Sequence, residues 1–495
     1  MKNCSKLIRI FWAAEFIFLI VTNNAFCYES SNQMTLIGLR PHHPKHNKII
    51  NKNQTEINSR ILPNSALDVV DIAEKSSTAA DKRDLSVHVD NLKKQDSLLN
   101  TPDGPKDQLK QIGVKPDVWV TQFGQGIASG GRSSTQLPRA YGGKVDAFLL
   151  VDLDKIGLWN GFKLSTQYEH YIGNNMNGGD DDIFGVSTAQ NFIQKNPPGY
   201  KSTLSLNFSQ DFGDRLNFKL GKFNLIAASA NTPLRGGDGI ETFMNVGMSQ
   251  PVSGLAPAYM IGGIAGLKTE LINFKLMIYD PRSALNPKVI EHPFKTGINF
   301  SLLGTMPTKF LNLNGAHTIG GFYATGKEVI TLDADQLNLP KGANLASSNK
   351  KGNWAIFYDF YQNIVQSEKG NSPAWGIFAN ARLSNQNPNP INWAVLAGIG
   401  GNNLVEGRES DKWGIGYFYY RFSQSFLDRI EVFKNAKVDD QIAYFNLRPE
   451  GGIEAFYNYA LTPWWRLTYD IQFIEPWKST VPLTTYMATR LQTKF

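Results

Sequence analysis

The sequence predicts an all-β protein, a transmembrane antiparallel β-barrel of about 16 strands with a disordered N-terminal extension. Three observations predict this fold. Apolar and polar residues alternate with a period of two from about residue 114 onward. The connections are a mixture of short turns and long Gly/Asn-rich loops, as in outer-membrane barrels. Aromatic residues are dense in this region and absent between Tyr28 and Trp119.

The first segment, residues 1–27, has the organisation of an export signal. A basic start precedes an apolar run, which Glu15 interrupts, and Ala25-Phe26-Cys27 resembles a small-x-small cleavage site. We therefore expect a cleaved signal peptide, with an uncleaved anchor helix or a lipoprotein signal at Cys27 as the alternatives. Cys4 and Cys27 are the two cysteines of the sequence. Cleavage would remove both, which excludes a disulfide framework, a Cys-based zinc site and a thiol nucleophile.

Residues 28–113 are polar and contain almost no aromatic residues. Asn, Lys, Ser, Asp and Gln dominate, so this segment cannot bury enough apolar area to offset the loss of chain entropy on folding. We expect a disordered periplasmic extension, with a small folded domain as the alternative. The barrel domain is predicted over residues 114–495.

Residues 464–474, WWRLTYDIQFI, illustrate the strand pattern. The odd-numbered positions are apolar and the even-numbered positions from Arg466 to Gln472 are polar. Each predicted strand has about 10 residues, which is the length that crosses a bilayer at a tilt. The strands are predicted near 116–126, 143–153, 161–172, 199–209, 214–224, 257–268, 271–280, 295–305, 315–325, 353–363, 373–384, 391–401, 411–422, 452–462, 464–474 and 483–495.

A large soluble β-sandwich also contains alternating strands and is the main alternative fold. Tryptophans near strand ends favour the barrel, because amphipathic rings suit the headgroup layer of a membrane; they are Trp354, Trp375, Trp393, Trp413, Trp464 and Trp465. The alternating strand 483–495 also ends in Phe495. A terminal aromatic of this kind is typical of outer-membrane barrels, and we predict that the barrel assembly machinery recognises it.

Three stretches resemble the carbohydrate-selective outer-membrane porin family (OprB-type). They are VDAFLLVDLDKIGLWNGFKL at 145–164, RESDKWGIGYFYYRFSQ at 408–424 and EAFYNYALTPWWRLTYDIQFIEPW at 454–477, of which the last is the most specific. The resemblance covers roughly residues 114–495, and Trp477 stands where the family often has a small residue. It implies a sixteen-stranded sugar channel in the bacterial outer membrane whose loops fold inward to constrict the lumen.

The polar face of each strand would line the water-filled lumen of such a barrel. Sugars offer vicinal hydroxyls and a weakly apolar ring face, so charged groups beside aromatic rings would recognise them. Phe456 or Tyr486 could supply the ring. The alternative is that the polar residues wet the lumen and pair with one another. The candidate lumen and substrate-binding residues are Lys163, Glu169, Lys219, Asp359, Glu454, Arg466, Asp470, Gln472 and Arg490.

Other chemistry has little support in the sequence. The histidines of the barrel region are isolated, and the triad Asp180-Asp181-Asp182 lacks the spacing of an EF-hand loop. We expect no metal, no cofactor and no enzymatic activity. The net charge of +7 is spread along the chain, which argues against a nucleic-acid partner. The expected partners are sugars as transported solutes, outer-membrane lipid, the assembly machinery and, by analogy, a homotrimer.

The predicted function is passive diffusion of mono- or small oligosaccharides across the bacterial outer membrane. Mixed charges on the inward parity favour this function, since a lining of one sign would favour ions. The alternatives are a general or ion-selective porin and a plugged barrel that acts as an enzyme or an adhesin.

Overall fold

The described residues of the computed structural model are 95–100, 104–131, 139–177, 185–191, 201–230, 232–249, 257–326, 329–330, 349–350, 352–366, 373–435 and 446–495. They form a closed barrel of 16 antiparallel strands, in which each strand pairs with its neighbours in chain order and the last strand pairs with the first. Closure leaves no strand edge with unpaired backbone N–H and C=O groups. A hydrocarbon environment requires this because it offers no hydrogen-bond partners. The predicted signal peptide, most of the predicted extension and the Asp180–Asp182 triad lie outside the described residues.

The barrel strands overlap all of the predicted strands. Their bounds are β1 Val114–Ser129, β2 Arg139–Asp152, β3 Phe162–Gly173, β4 Ser202–Phe212, β5 Leu216–Asn224, β6 Tyr259–Lys268, β7 Asn273–Tyr279, β8 Asn299–Phe310, β9 Leu313–Ala324, β12 Asn353–Gln366, β13 Pro373–Ser384, β14 Ile391–Asn402, β15 Lys412–Phe422, β16 Glu450–Thr462, β17 Trp465–Glu475 and β18 Thr484–Lys494. A separate two-stranded sheet pairs β10 Val329–Ile330 with β11 Asn349–Lys350.

Helices in the described residues are short and belong to the segments that precede or connect the barrel strands. They are α1 Pro105–Gln111, α2 Leu225–Ala228, α3 Val246–Ser249, α4 Pro287–Glu291 and α5 Gln424–Asn435, with a 3₁₀ turn at Thr188–Gln190. None of the helices described is long and apolar enough to span a membrane.

The two faces of each strand follow the predicted alternation. On β17 the side chains of Tyr469 and Phe473 are 57% and 39% exposed on the outer surface, whereas Asp470 and Gln472 are buried inside. The outer surface is thus apolar, as contact with lipid requires. Aromatic residues also mark the strand ends, where Trp375 lies 6.0 Å from Trp413. By the pattern of outer-membrane barrels, the end with the short turns is periplasmic.

Part of the predicted extension is structured and contacts the barrel. Helix α1 precedes β1, and the Lys106 ammonium donates to Asp117 at 2.6 Å and to the main-chain oxygen of Phe495 at 2.9 Å. The amide of Leu98 also donates to the Lys494 carbonyl at 2.9 Å. The sequence did not predict these contacts. The prediction of disorder rested on the lack of apolar side chains, whereas these contacts are hydrogen bonds made by a polar side chain and by the backbone.

Candidate functional site

The connection between β5 and β6 folds into the barrel. We call it the inner loop, residues 225–258, of which 225–230, 232–249 and 257–258 are described. Its apolar side chains are buried against the inner wall, with Phe243, Met244 and Met248 fully inaccessible. The expectation that loops fold inward is confirmed for this loop.

Glycines on the inner wall make room for the inner loop. A side-chain Cβ built on Gly414 would lie 2.7 Å from Cζ of Phe243, and one built on Gly416 would overlap Met248. Phe243 also contacts Phe456 edge-on, with ring centroids 4.8 Å apart. The two inward glycines of β15 therefore leave the space that the loop occupies. The signal in the sequence is the Gly-x-Gly spacing, which removes two side chains from the inner face of the strand.

Arg490 and Glu454, two of the predicted lumen residues, hold the backbone of the inner loop. The Arg490 guanidinium donates to the carbonyl oxygens of Gly239 at 2.6 Å and Thr242 at 3.0 Å. The Glu454 carboxylate accepts from the amides of Met244 and Asn245, the latter at 3.1 Å. Both side chains are buried. Buried side chains that are hydrogen-bonded to backbone groups in this way hold the loop in one position.

Gln472 and Asp470 extend this network on the neighbouring strand. The Gln472 amide nitrogen donates to Asp470 at 2.8 Å and to the carbonyl oxygen of Val186 at 3.0 Å, and the Gln472 oxygen accepts from the Asn245 side chain at 3.0 Å. Val186 belongs to the connection between β3 and β4, so a second loop also enters the barrel. Residues 185–191 of this loop are buried throughout.

Two ion pairs fix the inner loop to more distant strands. Arg235 pairs with Asp359 on β12 at 2.8 Å, and Glu241 pairs with Lys412 at the start of β15. Burial opposes ionisation of Glu241, but the Lys412 ammonium, assisted by Arg466, outweighs it and lowers the pKa of the carboxyl to about 2. The strand pattern predicted Asp359 but could not indicate Arg235 or Glu241, since loop residues show no period. Lys412 lies on a predicted strand but was not among the candidate residues.

Glu169 lies in a separate buried cluster on the β2 and β3 wall. The Lys144 ammonium is 2.9 Å from Glu169 and 3.0 Å from Asp146, and the Tyr259 hydroxyl donates to Glu169 at 3.0 Å. Gln167 donates to Asp146 at 2.8 Å. Glu169 was among the residues predicted from the sequence, whereas Lys144 was not.

Lys163, Lys219 and Arg466 are the predicted lumen residues that keep part of their surface accessible. Lys163 pairs with Asp211 at 2.8 Å, and Arg466 donates to Asn458 at 2.7 Å. Phe456 and Tyr486 are buried at 5% and 2% exposure, so neither ring is accessible to a solute. Phe495 donates its amide to Val118 at 2.8 Å, and its role in assembly stays a prediction.

Metal ligation finds no support in the described ranges, where no group of three or more His, Cys, Asp or Glu side chains gathers. The geometry is that of a barrel interior narrowed by loops, which buried polar contacts hold in place. A closed sixteen-stranded barrel with such an inner loop defines an outer-membrane porin.

Comparison with known proteins specifies the family. Residues 276–495 match the family model described as "Carbohydrate-selective porin, OprB family". This stretch begins within β7 and ends at the last residue, and the match confirms the resemblance predicted from the sequence. Family and fold together make the chain a carbohydrate porin of the bacterial outer membrane.

Solved structures share the fold at low sequence identity. The chain is similar to the high-pH structure of Pseudomonas putida OprB, with a TM-score of 0.69, 15% identity, and coverage of 81% of this chain and 99% of that one. The low-pH structure of Pseudomonas putida OprB has a TM-score of 0.46 and 12% identity over the same shares of the two chains. No curated protein sequence matches the chain.

Proposed function

We propose that the chain passes mono- or small oligosaccharides by passive diffusion between the inner loop and the wall of β2–β5. The observation that carries this proposal is the fixation of the inner loop against the opposite wall, by Arg235 to β12, Glu454 to β16 and Arg490 to β18. A loop fixed in this way narrows the lumen, and inward residues of β3–β5 remain partly exposed.

The partly exposed inward residues of β3–β5 support a polar, uncharged solute. They include Lys163, Ser165, Thr203, Asn207 and Lys219. Hydroxyl and amide groups exchange hydrogen bonds with sugar hydroxyls, and the ammonium groups donate to them. Lys163 is already paired with Asp211, which reduces the field that would attract free anions. We therefore assign sugar contact to Lys163, Lys219 and Arg466, and loop positioning to Asp359, Glu454, Asp470, Gln472 and Arg490.

The outer face near the β1–β18 seam supports a homotrimer. Gln122 and Thr489 are exposed on this face, and Gly124, Gly126 and Gly143 lie on the same outward parity. Polar groups facing hydrocarbon are costly, whereas small residues let another barrel approach closely. Cross-linking of the purified protein in detergent should yield a three-chain species, and Gln122→Leu with Thr489→Leu should reduce it.

Liposome swelling and planar-bilayer recording test the transport function. Reconstituted protein should let glucose and small oligosaccharides enter liposomes, and the sugars should reduce the ion current. A large anion-selective current without any sugar effect would leave a general porin. Folded protein that gives no current at all would instead favour a plugged barrel.

A further inference from the structure

Trp119 and Phe148 form a pair of partly exposed rings on the inner face of β1 and β2. Their centroids are 5.4 Å apart and their planes are inclined by 59°. Trp119 is in register with Asp146 and Phe148 with Gln167, and both polar partners belong to the buried cluster inside the wall. The strand parity therefore puts both rings on the lumen side.

Exposure distinguishes this pair from the inward aromatic residues that the inner loop covers. Phe123, Phe456 and Tyr486 are buried at 0–5% exposure. Trp119 and Phe148 keep part of their surface accessible to solvent. The exposed part of an apolar ring has not gained the free energy of removal from water. A solute that covers this part of the ring is therefore favoured.

Lys494 links the ring pair to the tip of the inner loop. Its ammonium lies 5.6 Å from the centre of the Trp119 ring. The same ammonium is among the charges that lower the pKa of Glu241, the loop residue paired with Lys412. Trp119 lies near the start of β1 and Phe148 near the end of β2, so the pair borders the periplasmic exit of the constricted passage.

We propose that Trp119 and Phe148 form a carbohydrate subsite at this exit, which stacks the C–H face of a pyranose ring. The C–H face carries a slight positive charge and meets the negative face of an aromatic ring. Lys494 lies beside the Trp119 ring, and its ammonium can donate hydrogen bonds to the sugar hydroxyls. The substrate class is thus a cyclic sugar with an unsubstituted C–H face. This subsite rests on the proposed sugar transport and specifies where the solute is held.

Sugar block of the ion current through single channels tests the subsite. Trp119→Ala and Phe148→Ala should each raise the glucose concentration for half-block by about 2- to 10-fold, the range expected for one aromatic contact. Mannitol is an open-chain polyol without a pyranose face, and its effect on the current should be unchanged by either substitution. The control Trp465→Ala removes an outward ring that is 38% exposed and should leave the glucose block unchanged.

Conservative variants keep the test informative if an alanine variant fails to assemble. Trp119→Phe retains an aromatic face and should stay within about 2-fold of the wild type, whereas Trp119→Leu should weaken the block as alanine does. The tryptophan fluorescence emission of the wild type should shift when glucose is added, and this shift should be lost in Trp119→Phe.

Two outcomes separate the subsite from the proposed function. If glucose permeates and blocks the wild type but the block is unchanged in both Trp119→Leu and Phe148→Ala, the subsite is wrong and the transport function stands. If glucose neither permeates nor blocks the wild type, the transport function fails and the subsite fails with it.

Discussion

The guanidinium of Arg490 lies 2.6 Å from the carbonyl oxygen of Gly239, although 251 positions separate these residues in the chain. A second nitrogen of the same group reaches the Thr242 carbonyl at 3.0 Å. The last barrel strand thus holds the tip of a loop that leaves the wall after the fifth strand. Because each carbonyl is buried, the contact fixes the position of the constriction.

Replacing Arg490 should widen the channel. Arg490→Met removes both hydrogen bonds and leaves two buried carbonyl oxygens without this donor, at a cost of about 1–3 kcal/mol each. We expect a larger and noisier single-channel conductance with weaker glucose block, measured in planar bilayers. Arg490→Lys keeps the charge, so its conductance should lie between that of Arg490→Met and that of the wild type. An unchanged conductance in Arg490→Met would show that this contact does not hold the loop.

Filling the space at Gly416 should displace the inner loop. A Cβ at this position would overlap Met248, and the buried side chain has little room to move. Gly416→Ala should lower the thermal stability of the barrel in detergent and change its conductance. Gly304→Ala is the matched control, because a Cβ there would meet nothing closer than 3.4 Å on the outer face. Equal effects from the two substitutions would contradict a loop seated on Gly416.

A charge on the outer face should destabilise the barrel far more than one in the lumen. Tyr469 is 57% exposed at the middle of β17, so Tyr469→Arg should cost about 2–4 kcal/mol at mid-bilayer depth. Asn207→Arg introduces the same group on the lumen side of β4, where water solvates it. Urea unfolding in lipid vesicles measures the difference. If Asn207→Arg proved the more damaging, the assignment of faces would be inverted.

Acid should weaken the attachment of the inner loop through Glu241. The folded-state pKa of about 2 lies below the ordinary value of 4.5, so the stabilisation is fully present above pH 4.5. It is lost as the pH falls from 4.5 through about 2. Glu241→Gln should abolish this part of the acid dependence in unfolding experiments between pH 2 and 5. A wild-type profile identical to that of Glu241→Gln would mean that the pair with Lys412 adds nothing.

Asp238, on the same loop, should show the opposite dependence. Burial raises its pKa to about 6, although the Ile240 amide donates to it at 3.1 Å and opposes the shift. The penalty for ionising it is present above pH 6 and disappears as the pH falls toward 3.8, so acid stabilises the fold through this group. Asp238→Asn should therefore stabilise the barrel at pH 8 and have little effect at pH 4. Greater destabilisation at pH 8 than at pH 4 would contradict this assignment.

The strands and their faces were determined by the sequence itself. Each residue of a transmembrane strand faces either lipid or lumen, so the period of two in segments such as 464–474 directly encodes orientation. The strand number followed from the same pattern, and the family resemblance rested on local motifs such as 454–477. Both kinds of signal depend on residues that are neighbours in the chain.

The inner loop was decided only by the tertiary structure. Arg490, Glu454 and Asp359 show the same inward parity whether they face water or hold a loop, so periodicity could not distinguish solute contact from loop positioning. Their partners lie 124 to 251 positions away, in a connection without any repeat. For the same reason, periodicity alone could not identify Trp119 and Phe148 as a candidate subsite. Whether an inward side chain remains accessible depends on which part of the lumen the loop fills, and that depends on packing between segments that only the closed barrel brings together.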